Sequence, residues 1–127
     1  MSTPQDLKYS KEHEWVRVEG DVGTVGITQY AVSSLGDVVF VELPEVGDEF
    51  DQDGVFGSVE STKAVSDLFC PVAGEIVEIN EALEDAPESV NGDCYGEGWI
   101  MKIKITDPSQ LDGLMDAAAY DALTAES

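Results

Sequence analysis

Few side chains in this 127-residue sequence can do covalent or proton-transfer chemistry at neutral pH. There is one histidine, His13, and there are two cysteines, Cys70 and Cys94. Lysine and arginine together number six, against 27 aspartates and glutamates, for a formal net charge of −21. Between Arg17 and Lys102 the only cation is Lys63, in Gly57-Ser58-Val59-Glu60-Ser61-Thr62-Lys63-Ala64-Val65-Ser66-Asp67. A Schiff-base lysine needs a lowered pKa, from burial or a neighbouring cation. Here the neighbours are the carboxylates Glu60 and Asp67, which favour the charged form. Contact with an acidic partner takes several cations, and no other lies nearby. An attachment point needs a protruding amine on a rigid turn, and a hairpin supplies one because its register fixes which residue sits at the tip. The residues alone leave two readings open: an attachment point, and a surface lysine paired with Glu60 or Asp67.

The remaining reactive groups form no constellation. The spacing of Cys70 and Cys94, with a single histidine, matches no metal-site pattern. Cys70, between Phe69 and Pro71, reads as a buried apolar thiol. No nucleophile–base pair stands out, so an enzyme is not expected.

Composition narrows the class. At 127 residues and 43% apolar content the chain should form one domain around one core. A charge of −21 argues against nucleic acid, whose phosphates need lysines and arginines, and against an anionic membrane surface. The acids are spread along the whole chain. That favours adaptation to high salt, a halophilic trait, over an electrostatic handle for a basic partner. The sequence shows neither a signal-peptide pattern nor a run of about 18 apolar residues, so a cytoplasmic protein is expected.

The elements that must hold Lys63 are mostly strands. Residues 1–6 are polar and expected to fray. Glu14 to Val18 alternates as a strand, Glu19-Gly20-Asp21 turns, and Val22 to Ile27 returns as its hairpin partner. Thr28 as N-cap and Gly36 as stop predict a short helix over Gln29 to Leu35. Val38 to Leu43 is the most apolar strand and is expected to be central. Glu49 to Asp51 adds a short strand. Val55 to Glu60 runs into the lysine and Ala64 to Phe69 runs out of it. Glu75 to Ile79 and Trp99 to Ile105 complete the strands; Asn80 to Glu84 makes a helical turn, and 85–98 is a loop. Asp107-Pro108 marks a helix start, and 107–127 reads as a C-terminal helical segment whose Leu114, Met115, Tyr120 and Leu123 dock on the sheet. Strands on both sides of one hairpin predict two similar sheets packed face to face, with Lys63 exposed at the tip.

Several blocks, in order, resemble the H protein of the glycine cleavage system. Glu60-Ser61-Thr62-Lys63-Ala64 with Ser66-Asp67 resembles its lipoyl-lysine motif. His13-Glu14-Trp15-Val16 resembles its N-terminal signature. Val25 to Ala31 followed by Leu35-Gly36-Asp37, Val39 to Gly47, Gly74-Glu75-Ile76, and Tyr95-Gly96-Glu97-Gly98-Trp99 fit as well. Thr62 stands where the family more often has valine, Cys94 where proline commonly precedes the tyrosine, and Ser34 where some relatives carry a more polar cleft residue.

This resemblance implies a mainly β, barrel-sandwich hybrid of the lipoyl/biotinyl kind, as a single lipoyl-carrier domain over residues 1–127. It implies lipoate on Lys63, with Glu60, Ser61, Thr62, Ala64 and Asp67 as the motif an attaching enzyme reads. It implies a carrier that takes an aminomethyl group from a PLP-dependent glycine decarboxylase to a tetrahydrofolate-dependent aminomethyltransferase. Dihydrolipoyl dehydrogenase would reoxidise the arm, and the carrier is expected to be monomeric. It also places a cleft near His13-Glu14-Trp15 and the Thr28 to Leu35 helix, where Glu14 would pair with the amine. An H-like protein acting as a lipoate relay is the alternative. A biotinyl carrier is disfavoured because that family flanks its lysine with methionines, whereas Thr62 and Ala64 flank this one.

Overall fold

In the computed structural model, which describes residues 7–125, alternation of apolar and polar side chains builds nine strands among the described residues. They are β1 (Lys8–Tyr9), β2 (Glu14–Glu19), β3 (Val22–Ile27), β4 (Val38–Glu42), β5 (Glu49–Phe50), β6 (Val55–Ser61), β7 (Val65–Phe69), β8 (Gly74–Ile79) and β9 (Met101–Ile105). Helices are short: α1 (Gln29–Leu35), α2 (Ala82–Asp85), α3 (Ser89–Gly92), a 3-10 turn over Pro108–Gly113, and α4 (Ala117–Ala125). The expected fraying of residues 1–6 falls outside the described residues.

The strands form two antiparallel sheets. One has six strands in the order β1-β2-β3-β9-β8-β5, the other three in the order β4-β6-β7. Val16, Val25, Ile76 and Ile103 from the large sheet meet Val41, Val59 and Leu68 from the small one in a shared core. The fold is a mainly β barrel-sandwich hybrid carrying short helices. The sheets are not the similar pair expected, since the strands beside the lysine hairpin number only three.

A second cluster sits at one end. Leu7, Tyr9 and Trp15 pack against Ala117 and Tyr120 of α4. Tyr9 and Tyr120 stack with ring centroids 4.8 Å apart. The Tyr120 hydroxyl lies 2.6 Å from Thr28 Oγ1 and 2.7 Å from His13 Nδ1, so the helix start at Thr28 and the chain's last helix share one hydrogen-bonded node. Trp15 lies flat against Gly26, where any Cβ would meet the indole ring at 2.6 Å, so only glycine fits there.

Four further expectations are corrected. The apolar stretch at 38–43 is an edge strand, and a register shift between Val38 and Phe40 turns Val39 and Phe40 outward, leaving Phe40 51% exposed. Residues 85–98 are not a plain loop; they hold the end of α2 and all of α3, with Val90 buried. The segment after Pro108 winds as a 3-10 helix. Leu123 points outward at 37% exposure, while Tyr120 does dock.

Candidate functional site

Lys63 lies at the turn between β6 and β7, the hairpin that forms two-thirds of the small sheet. The turn is held by one side chain. Ser61 is 7% exposed, and its hydroxyl accepts from the backbone N–H of Lys63 at 3.2 Å and of Ala64 at 3.1 Å. The same hydroxyl lies 3.1 Å from the Ala64 carbonyl, which also accepts from the Ser61 N–H at 2.8 Å. A hydroxyl that bonds its own backbone two and three residues on is the ST-turn arrangement, and it stiffens the tip. One further strut comes from outside: the Thr62 N–H donates to the Asp37 carbonyl at 3.1 Å.

The lysine side chain is exposed and makes no ion pair among the described residues, where the one ion pair is Lys102 with Glu78 at 3.8 Å. The pairing with Glu60 or Asp67 left open by the sequence is absent here. The stem of Lys63 instead passes the C-cap of α1. A Cβ on Gly36 would lie 3.5 Å from Lys63 Cε, and Gly36 itself has φ of +81°, a backbone that a side chain rarely adopts.

The other motif residues divide. Ser61 is consumed inside the turn, while Glu60, Thr62, Ala64 and Asp67 are exposed. Glu60 sits between Phe40 and Val65 across the small sheet. Asp67 lies opposite Ser58 and lines a groove of about 400 Å³ with Glu42, Val55 and Val65.

Glu14 is a different kind of group. It opens β2 and is 1% exposed. One carboxyl oxygen accepts from the Ser10 hydroxyl at 2.9 Å, the other from the Phe69 N–H at 3.0 Å. Burial pushes its pKa up to about 8, the nearby Glu12 and Asp53 charges add to this, and the two hydrogen bonds oppose it. Glu14 therefore ties the large sheet to the outer edge of β7, on the strand that leads from Lys63. Phe69 is six residues from Lys63, at most about 20 Å along extended chain. The sequence did not single out Ser10, whose hydroxyl acts through a side-chain bond to Glu14 four residues on, or the Asp37 carbonyl, whose role comes from a backbone bond to a residue 25 positions away.

The thiols are both buried. Burial holds Cys70 up at about 12 and Cys94 at about 11, so neither supplies a thiolate at neutral pH. No three of His, Cys, Asp and Glu group as metal ligands among the described residues.

Two unequal sheets and an exposed lysine on a stiff hairpin turn have the arrangement of a carrier domain of the lipoyl/biotinyl-like class. The family model described as glycine cleavage H-protein matches residues 7–127. A glycine cleavage system H protein of Symbiobacterium thermophilum is 62% identical over 125 residues, covering 98% of each chain. That of Staphylococcus carnosus is 56% identical over 126 residues, covering 99% of this chain and 100% of its own. The crystal structure of a glycine cleavage system H protein from Mycobacterium marinum superposes with a TM-score of 0.88 at 40% identity, covering 97% of this chain and 99% of the other. The chain belongs to the glycine cleavage H-protein family.

Proposed function

We propose that this protein is the lipoylated carrier of the glycine cleavage system, with Lys63 as the attachment site. It moves the aminomethyl group of glycine from the PLP-dependent decarboxylase to the tetrahydrofolate-dependent aminomethyltransferase. The observation that carries this reading is Lys63 itself, an exposed amine with no ion-pair partner among the described residues, set on a turn that Ser61 locks. In amide linkage there, lipoate supplies a disulfide that takes up and gives up the one-carbon amine. The chain supplies a stiff base and an unpaired stem. A tethered group on such a base reaches successive active sites without being lost to solution.

Glu60, Thr62, Ala64 and Asp67 form the exposed surface around the amine that a lipoate-attaching enzyme reads. Dihydrolipoyl dehydrogenase is the third enzyme the arm visits, and the carrier works as a monomer. Glu14 receives the cationic amine. Below pH 8 its buried carboxyl tends to hold a proton, and a cation arriving beside it favours loss of that proton and an ion pair.

Intact-mass analysis of the Lys63 peptide from native material tests the attachment. A lipoyl increment is expected; a biotin increment, or none, overturns it. Glycine–bicarbonate exchange with the decarboxylase separates a carrier in the cycle from a lipoate relay.

The charge of −21, spread over the chain, fits a cytoplasm that holds molar salt. The melting temperature is expected to rise from dilute buffer to molar potassium chloride, and coincident melts would overturn the halophilic reading.

A further inference from the structure

The Lys63 turn stands on a loop, and the loop stands on one side chain. Gly36, Asp37 and Val38 join α1 to β4, and each touches something different. Gly36 faces the Lys63 stem, with a built Cβ 3.5 Å from Cε. The Asp37 carbonyl receives the Thr62 N–H at 3.1 Å. Val38 opens β4 opposite Ser61. This junction is gripped from the far side by Asn91 of α3. Asn91 Nδ2 donates to the Gly36 carbonyl at 2.8 Å, and Asn91 Oδ1 accepts from the Val38 N–H at 2.8 Å. A side-chain amide that bonds residues two apart satisfies backbone groups much as a neighbouring strand would. With Gly36 and Val38 fixed on either side, Asp37 has little freedom to turn its carbonyl away from Thr62.

We propose that Asn91 is a positioning residue for attachment at Lys63: through Gly36 and Val38 it sets the Asp37 carbonyl and the Gly36 surface that orient the lysine at the hairpin tip. The inference rests on Lys63 being the attachment site. Asn91 reaches across 53 and 55 residues of sequence to its two partners, so it couples the α3 segment to a hairpin it does not adjoin in the chain. The attaching enzyme must bring one amine to within bonding distance of an activated acyl group. A base that swings costs it reaction rate, while Glu60 and Asp67, held in the strands, keep their part of the docking surface.

The test uses the full-length unmodified chain as substrate for a purified lipoate-attaching enzyme with ATP and lipoate. Asn91→Ala removes both hydrogen bonds; Asn91→Asp keeps the acceptor for Val38 N–H and loses the donor to Gly36. Asn80→Ala is the control, because Asn80 donates to the Glu97 and Trp99 carbonyls, another pair of long-range bonds that does not bear on the hairpin. For Asn91→Ala, kcat is expected to fall by about ten- to a hundred-fold with little change in KM, the scale expected when a reacting group is misplaced by up to an ångström. Asn91→Asp is expected to lie between it and the wild type. Hydrogen exchange at the Thr62 amide should quicken in both, and Asn80→Ala should lower the melting temperature without lowering kcat. Wild-type kcat with a protected Thr62 amide in Asn91→Ala overturns the inference. So does an equal loss of kcat in Asn80→Ala, which would make stability the cause. A wild-type chain that takes up no lipoate on Lys63 instead removes the attachment reading, and this inference with it.

Discussion

Lys63 and Glu14 lie on or against the same strand hairpin and are held in opposite ways. Around Lys63 the backbone is fixed and the side chain is not: Ser61 and the Asp37 carbonyl bind the N–H groups of Lys63, Ala64 and Thr62, while the ammonium has no ion pair among the described residues. Around Glu14 the side chain itself is fixed, with both carboxyl oxygens bonded and almost no surface exposed. A group that must travel needs a rigid root and an unencumbered tip. A group that must receive needs the reverse, a placed tip, and burial makes its charge responsive to what arrives. The contrast teaches that one hairpin can bear on two residues held in opposite ways, one fixed at its root and the other at its tip.

Substitutions at three positions break the comparison in decreasing order of effect. Lys63→Arg keeps a cation at the tip but offers no primary amine. Modification should vanish completely, and stability should change by no more than about 0.5 kcal/mol, as for an exposed side chain; mass spectrometry and a urea melt check both, and any residual lipoyl mass on the protein would place the site elsewhere. Glu14 gives the next largest effect. The folded chain retains a proton that the unfolded chain releases, so raising the pH from about 4.5 to about 8 should destabilise the fold progressively and then level off. The contribution is on the order of a few kcal/mol. Glu14→Gln, whose amide oxygen can still accept from Phe69, should flatten that slope, and parallel slopes in the two proteins would refute a raised pKa. Loaded with the aminomethyl arm, Glu14→Ala should release its cargo by hydrolysis sooner than the wild type; equal lifetimes would refute the pairing. Ser61→Ala gives the smallest change, about 1 kcal/mol for bonds that water can partly replace at the exposed turn. It should also slow lipoylation, because the root of the lysine loosens.

Much of this could be read from residue order. The helix from Gln29 to Leu35, with Thr28 and Gly36 as its caps, has the bounds its cap chemistry predicts, and Thr28 Oγ1 does accept from the Ala31 N–H. The lysine hairpin follows from two short strand-like stretches meeting at a polar turn. What escaped is what depends on distant partners. Val39 and Phe40 look like core by hydrophobicity, yet a bulge at a sheet edge turns them to solvent. Glu14 looks like any strand carboxylate until Ser10 and Phe69 close over it. Asn91 sits in what reads as a loop, and bonds to backbone over 50 residues away have no periodicity to betray them. The H-protein resemblance pointed to Glu14, while its carboxyl's bonds to Ser10 and Phe69 were not legible in the residues.

The node at Tyr120 has a consequence for how the molecule is made. His13 and Tyr120 are 107 residues apart, and the cluster they anchor draws on the first described strand and the last helix. A growing chain can pair the Lys63 hairpin as soon as that segment is free, because those contacts are local. The aromatic cluster must wait until Tyr120 has been synthesised. Contacts of such long sequence separation are slow to form. Trp15 and Tyr9 therefore stay uncovered longest on the nascent chain, and a ribosome stalled short of Tyr120 would hold a lysine already presented on a domain not yet closed.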